Sequence, residues 1–280
     1  MLSYRHLYHA GNYADVFKHG LLTRLLASLN GKDKPWCYID THSGLGRYDL
    51  THEWAEKVRE YESGIVRLWR RDDIPESLRP YMDIVKGENS GVALRHYPGS
   101  PLVARRLARP GDRIVLSELN KTDHATLKSL FAGDGQVAVH LKDAYLALKA
   151  FTPPKEKRGL VLLDSGFDVA GEFSRIVRAV ADAHAHWSTG MYAVWYPIML
   201  AGPMRDFYRD VAKSGIRKVL RLELSVRRRD ESGIVPGCGM LVVNPPWHFD
   251  DEAREMLDYL WRVLNIDGAG QPLVEWLVPE

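Results

Sequence analysis

Cysteine is scarce. Cys37 and Cys238 are the only two in 280 residues, and they lie far apart. That excludes a disulfide framework and the paired spacing of a zinc site. Long apolar runs are missing too. None approaches the ~20 residues that a membrane-spanning helix needs. The start, Met1-Leu2-Ser3-Tyr4-Arg5-His6, is polar and aromatic and does not read as a signal peptide. A cytoplasmic protein with no membrane partner is the expectation. Charge of one sign is also lacking, since the net charge is +2. Any nucleic-acid partner must therefore meet a local basic patch. There is no internal repeat and no low-complexity linker. Hydrophobic residues make up 45% of the chain, which suits one large α/β domain, or one domain with an insert.

The third glycine of the dinucleotide fingerprint is absent as well. Pro35 stops what precedes it, and Trp36-Cys37-Tyr38-Ile39 fits a buried strand with Cys37 in the core. The run ends at Asp40 and is followed by Thr41-His42-Ser43-Gly44-Leu45-Gly46. Glycines after a strand let a ligand approach the backbone closely. In an open α/β sheet nucleotides bind at that place. Taken alone, G-x-G serves a bare strand-to-loop turn equally well.

Along the rest of the chain the periodicity is clear. Val16, Phe17, Leu21, Leu22, Leu25, Leu26 and Leu29 recur at helical spacing, ending at Asn30-Gly31. Between 51 and 96, Trp54, Val58, Tyr61, Ile65, Leu68 and Trp69 also keep helical spacing, and Pro75 starts another helix. This segment reads as a helical insert, with 1–50 and 97–280 forming the main domain. Strands then alternate with helices at Ile114–Ser117, Val137–Val139, Leu160–Leu163 and Met191–Trp195, with Val219–Val226, Met240–Val243 and Leu273–Val278 after them. The rhythm predicts an α/β fold, a Rossmann-like doubly wound sheet with helices on both faces.

Four of these strands end at an acid: Asp40, Glu118, Asp143 and Asp164. Carboxylates crowded at one sheet edge need a cation or hydrogen-bond donors between them. An acid after the second strand is where a ribose diol is gripped. S-adenosylmethionine offers a ribose, an adenine, a sulfonium and an ammonium. It has no pyrophosphate, so it does not need the missing glycine. This favours a methyltransferase over a dehydrogenase.

Several stretches make the reading specific. They are Met1–His6, His9-Ala10-Gly11-Asn12, Asp15-Val16, Lys18-His19, Asp40–Gly44, Gly46-Arg47-Tyr48, Tyr97-Pro98-Gly99-Ser100-Pro101, Trp195-Tyr196-Pro197, Asn244-Pro245-Pro246-Trp247 and Trp276–Glu280. Together they resemble the RlmJ family, bacterial methyltransferases that act on N6 of an adenine in 23S ribosomal RNA. The resemblance implies a Rossmann-like methyltransferase fold with a helical insert, and no metal. It implies S-adenosylmethionine contacts at His19, His42, Ser100, Glu118, Asp143, Ala144 and Asp164. Asp164 matches the catalytic acid and Tyr4 a position that touches RNA.

One departure stands out. Amino-directed methyltransferases of this kind carry Asp-Pro-Pro-aromatic at the end of the fourth strand, and this chain has Asp164-Ser165-Gly166-Phe167. The acid and a backbone carbonyl accept the two N–H groups of the amine, while the aromatic, here Phe167, stacks on the flipped base. Ser-Gly is looser than Pro-Pro, and ordering it costs about 1–2 kcal/mol more. The departure leaves open a non-catalytic nucleic-acid-binding homologue, and the chemistry leaves open a DNA adenine methyltransferase. Asn244-Pro245-Pro246-Trp247 reads as a structural turn or a wall of the substrate site. Arg105, Arg106, Arg109 and Arg227-Arg228-Arg229 are candidate RNA contacts. The aromatic tail with Tyr4, His6 and His9 is expected to lie over the crevice.

Overall fold

The computed structural model describes residues 5–199, 201–228 and 235–280. Helix α1 (Tyr13–Asn30) begins where the Asn12 side chain accepts the Asp15 N–H at 3.0 Å, an N-cap. Phe17 and Leu21, Leu22, Leu25 and Leu26 are fully buried, and so, nearly, are Asp15, Lys18 and His19 of its first turns. A helix apolar all round lies inside, and its few charges must find partners there. Strand β1 (Cys37–Asp40) follows and is buried along its length.

Strand β2 (Arg47–Asp49) leads into α2 (Glu53–Val58), α3 (Val66–Trp69) and α4 (Arg79–Gly87), and β3 (His96–Pro98) returns the chain. β2 and β3 pair antiparallel, and Leu50 N–H meets the Arg95 carbonyl at 2.7 Å. The helical segment therefore leaves and re-enters at one point. The continuous spacing of Trp54 to Trp69 does not give one helix. Arg59 takes a left-handed backbone, φ 54°, and a short 3-10 turn at Glu60–Ser63 separates α2 from α3. Ile65, Leu68, Leu78 and Tyr81 are buried in the same cluster as the leucines of α1.

The remainder alternates: α5 (Ser100–Leu107), β4 (Arg113–Glu118), α6 (Lys121–Leu130), β5 (Val137–Leu141), α7 (Ala144–Phe151), β6 (Gly159–Leu163), α8 (Glu172–His186), β7 (Met191–Pro197), α9 (Ala201–Lys213), β8 (Val219–Ser225), β9 (Gly237–Val243), α10 (Phe249–Leu264) and β10 (Pro272–Val278). The sheet order is β10-β8-β9-β7-β6-β1-β4-β5. β5, β4, β1, β6 and β7 are parallel, while β9 pairs antiparallel with both β7 and β8, and β10 antiparallel with β8. The fold is Rossmann-like. Tyr38 points into the α1 face and Ile39 into the α8 face, the two-residue alternation of a strand buried on both sides. From β1 the sheet grows outward through β4 and β5, then resumes on the other side of β1 with β6. The crevice at the carboxyl ends of these strands is the topological switch point. Among the described residues no helix is long and apolar enough to cross a membrane.

Candidate active site

A cleft of about 1170 Å³, counted out to its open mouth, lies at that switch point. Its floor is the loop after β1. Gly44 and Gly46 have φ of 59° and 76°, and a Cβ on Gly44 would run into the Tyr48 hydroxyl. His19, His42 and Ser100 line the cleft, as do Glu118, Asp143, Ala144 and Asp164. All seven residues expected at the donor site thus face one cavity. Asp40 does not face it. It is fully buried beneath the floor, taking hydrogen bonds from Tyr38 Oη at 2.8 Å, Ser100 Oγ at 2.7 Å and the His42 N–H at 3.2 Å. Burial pushes its carboxyl up to about 6, and those donors offset only part of the shift. Three of the four strand-end acids, not four, meet in the crevice.

Glu118 is fixed by two loops, its own and the one after β1. Gly44 N–H reaches Oε2 at 2.9 Å and Asn120 N–H reaches Oε1 at 2.7 Å. A carboxylate offers about four acceptor sites, and the N–H groups of Gly44 and Asn120, with that of Leu119 beside them, leave at least one for a ribose hydroxyl. Burial raises the Glu118 pKa. Asp143 caps α7 through the N–H groups of Tyr145 and Leu146. Arg175 lies 3.8 Å over the Tyr145 ring and 3.5 Å from Asp143. Burial lowers the His42 pKa. Of the described lining residues, six are carboxylates and the formal cations are Lys18 and Arg175. An excess of anions suits a ligand that carries positive charge. Among the described residues no group of three or more metal-ligating side chains is placed to hold a metal ion.

Asp164, just past β6, has a partner that sequence reasoning passed over. Lys18 Nζ is 2.5 Å from Asp164 Oδ2 and 2.8 Å from Asp15 Oδ1. Asp15 Oδ2 in turn meets His6 Nε2 at 3.0 Å and the Gly11 N–H at 2.9 Å. Burial disfavours the Lys18 ammonium, but Asp15 and Asp164 outweigh it and hold its pKa well above the usual lysine range. Burial likewise opposes the Asp15 charge, and His6 and Lys18 overcome it, keeping that carboxyl well below its usual range. The signal was present in the sequence as two opposite charges, Asp15 and Lys18, one turn apart at the start of a leucine-rich helix. His6 lines the cleft, and Arg5 pairs with Asp123, another lining residue, at 3.1 Å. Tyr4 lies outside the described residues.

His19 is buried, with Nδ1 2.7 Å from Tyr97 Oη. Burial drives its pKa down to about 3, against the pull of Asp15. The unfolded chain binds that proton near pH 6.5. Between those values the unfolded state holds more protons, so stability falls as the pH drops. At pH 4 the loss from this one group is about 3 kcal/mol. His19→Gln should therefore lose less melting temperature than the native chain between pH 7 and pH 4. Equal acid slopes in the two proteins refute this.

The looseness expected of Ser165-Gly166 is not what the structure has. Ser165 is buried, and its Oγ donates to Glu172 Oε1 at 2.6 Å. Phe167 is half-buried with a left-handed backbone, φ 54°, its ring packed on Phe173 (centroids 4.7 Å apart) and Trp195 (6.1 Å). Trp195 also lies 5.9 Å from the Lys18 ammonium.

Position decides two other expectations. Asn244 follows β9, whose end pairs with the start of β7, so it sits at the opposite edge of the sheet from the cleft. Its Nδ2 ties the Ser188 and Gly190 carbonyls at 2.8 Å each. The Asn-Pro-Pro-Trp stretch is a structural turn and no wall of this site. Arg105 pairs with Asp134 and Arg106 with Glu88, each at 2.5 Å. Arg109 binds Asp112 and the carbonyls of Asn30, Lys32 and Lys34, beside the starts of β1 and β4. These arginines hold the far side of the molecule together. Arg227 and Arg228 instead follow β8, which runs parallel to β7 and ends at the cleft's edge of the sheet. Arg229 lies outside the described residues.

The family model described as Ribosomal RNA large subunit methyltransferase D, RlmJ, matches residues 33–278. The chain is 41% identical to the protein of Escherichia coli (strain K12) named Ribosomal RNA large subunit methyltransferase J, over 280 residues and 100% of both chains. It is 41% identical to the protein of the same name from Haemophilus influenzae, again over 100% of both. A crystal structure of a Legionella pneumophila protein superposes with a TM-score of 0.89 at 37% identity, covering 96% of this chain and 98% of that one.

Proposed function

The chain belongs to the RlmJ family, and from that premise we propose that it methylates N6 of an adenine in 23S ribosomal RNA, on a base swung out of its stack. The observation that carries the reading is Asp164, held by Lys18 at the switch point beside a cleft whose opposite wall presents Glu118. S-adenosylmethionine, when bound, supplies a methyl group on a sulfonium centre. The residues present fit it. Glu118 keeps acceptor capacity for a ribose hydroxyl, and Asp143 with Ala144 borders the place of the adenine. The surplus of carboxylates suits the sulfonium and ammonium.

An exocyclic amine is a poor nucleophile because its lone pair is delocalised into the ring. Asp164 and the Ser165 carbonyl accept its two N–H groups and so hold the nitrogen in line with the methyl group. Lys18 takes Oδ2 of Asp164, which leaves Oδ1 for the amine. Asp164 also receives the proton that N6 sheds. Flipping the base costs a few kcal/mol. Phe167 and Tyr4 are the aromatic residues proposed to meet it.

The test is methyl transfer to naked 23S ribosomal RNA and to duplex DNA, with N6-methyladenosine measured after digestion. Methylation of RNA alone is expected. Methylation of DNA alone overturns the substrate. Binding of RNA and donor with no product on either points to the non-catalytic reading. Calorimetry should show S-adenosylmethionine binding at micromolar to submillimolar affinity. No heat at millimolar donor sinks the methyltransferase reading. Arg228→Glu should weaken RNA binding and lower the salt slope by about one. The same change at Arg106 should do neither, and equal effects at both sites refute the placement of RNA along the β8 edge.

A further inference from the structure

This inference rests on the reading above, in which the Ser165 carbonyl is the second acceptor for N6. Where the Asp-Pro-Pro-aromatic pattern would put two proline rings to stiffen that carbonyl, this chain has Ser165-Gly166, a pair with much backbone freedom to lose. Yet Ser165 is only 7% exposed, and its hydroxyl donates to Glu172 Oε1 at 2.6 Å. Tyr145 Oη donates to the same oxygen at 2.5 Å. Glu172 is 6% exposed and opens α8, where a helix N-terminus favours a carboxylate. The Arg175 guanidinium lies over the Tyr145 ring, 3.8 Å from its centre. The loop after β6, the start of α7 and the first turn of α8 thus converge on one carboxylate oxygen. Bonds from hydroxyls to a carboxylate are charge-assisted and strong. A proline at 165 could not make the first of them.

We propose that Glu172 is a positioning residue: the Ser165–Glu172–Tyr145 latch holds the Ser165 carbonyl in place of the rigid rings. Glu172 acts through Ser165 and does not touch the reacting atoms. Its carboxylate and the Ser165 hydroxyl form one unit, so losing either loses the same thing.

The test uses the full chain, saturating S-adenosylmethionine and a 23S ribosomal RNA fragment in single-turnover transfer, with donor affinity by calorimetry. Ser165→Ala and Glu172→Ala should each slow transfer about tenfold, and the double variant no more than either. Donor affinity of Ser165→Ala, which removes no charge from the cleft, should stay within about twofold, and Glu172→Gln, whose amide oxygen still accepts, should recover most of the rate. Installing both prolines (Ser165→Pro with Gly166→Pro) should make transfer indifferent to Glu172→Ala. Single losses that multiply, a matching fall in the donor affinity of Ser165→Ala, or an undiminished Glu172→Ala loss in the proline background overturns the proposal. A separate readout needs no activity. The Gly166 amide order parameter should fall from about 0.85 to below about 0.6 in Ser165→Ala. If it does not change, the latch is refuted even where methylation succeeds. If it falls while the native chain methylates nothing, the latch stands and the functional reading fails.

Discussion

Asp164→Asn should cut methyl transfer by about 10²–10⁴-fold with the fold intact, the range expected when a positioned proton acceptor is lost. Asparagine matches the carboxylate in shape, so packing against Lys18 is kept. What changes is the side facing the amine. The amide keeps one acceptor oxygen, and Lys18 competes for it, since the ammonium is 2.5 Å from Oδ2 in the native chain. The NH₂ group is then turned toward N6, presenting donor to donor and taking no proton. The ammonium keeps its second partner, Asp15 at 2.8 Å, so the melting temperature should drop by only a few degrees. The measurement pairs initial methylation rates with thermal unfolding and calorimetric donor binding. Near-normal turnover would remove Asp164 from the chemistry. Loss of rate together with collapse of the fold would make its role structural.

The sheet and its switch point were legible because period and punctuation are strong there. Strand β1 shows as a short apolar run between Pro35 and a glycine turn, and β6 as Leu160–Leu163 ending at an acid. Strands β2 and β3 were not legible. Three residues each give no period, and their pairing joins positions 47–49 to 96–98 across the whole insert. In the site, acids at strand ends showed which residues approach each other along the sheet edge, but not which face the cleft. Asp40 is turned under the floor by contacts with Tyr38 and Ser100, and Ser100 is brought in by β3. The Ser165–Glu172 bond was hidden for the same reason. The tightness of Asp164-Ser165-Gly166-Phe167 depends on a carboxylate seven residues on, which only the turn into α8 brings back. Arg105, Arg106 and Arg109 could not be told from Arg227 and Arg228 in the sequence, because a run of charge says nothing about which carboxylates surround it.

Lys18→Met should cost both activity and stability, and the pH profile of the stability loss identifies its cause. The ammonium lies between Asp15, 1% exposed, and Asp164, 15% exposed. Removing one member of a buried ion pair typically costs about 3–5 kcal/mol, because the charge left behind is uncompensated. For a chain of this size that is about 10 °C in melting temperature. Two linkages bound the effect. With Lys18 present the Asp15 pKa lies below its unfolded value, so that stability is present above about pH 4 and lost as the pH falls through the folded value. The Lys18 pKa lies above its unfolded value, so its share is present below about pH 10 and lost as the pH rises through the folded value. The deficit of Lys18→Met should therefore be a plateau from about pH 5 to 10 that narrows on either side. Adding Asp15→Leu removes the stranded carboxylate. Much of the stability should return, since a buried pair replaced by apolar groups is often neutral. Methyl transfer should not return with it, because Asp164 still lacks the cation that fixes its orientation. Thermal unfolding across pH, with methylation of 23S ribosomal RNA at neutral pH, reads both. A deficit that does not change with pH would trace the loss to packing of the lysine stem. Recovery of activity in the double variant would show that Lys18 serves the fold alone.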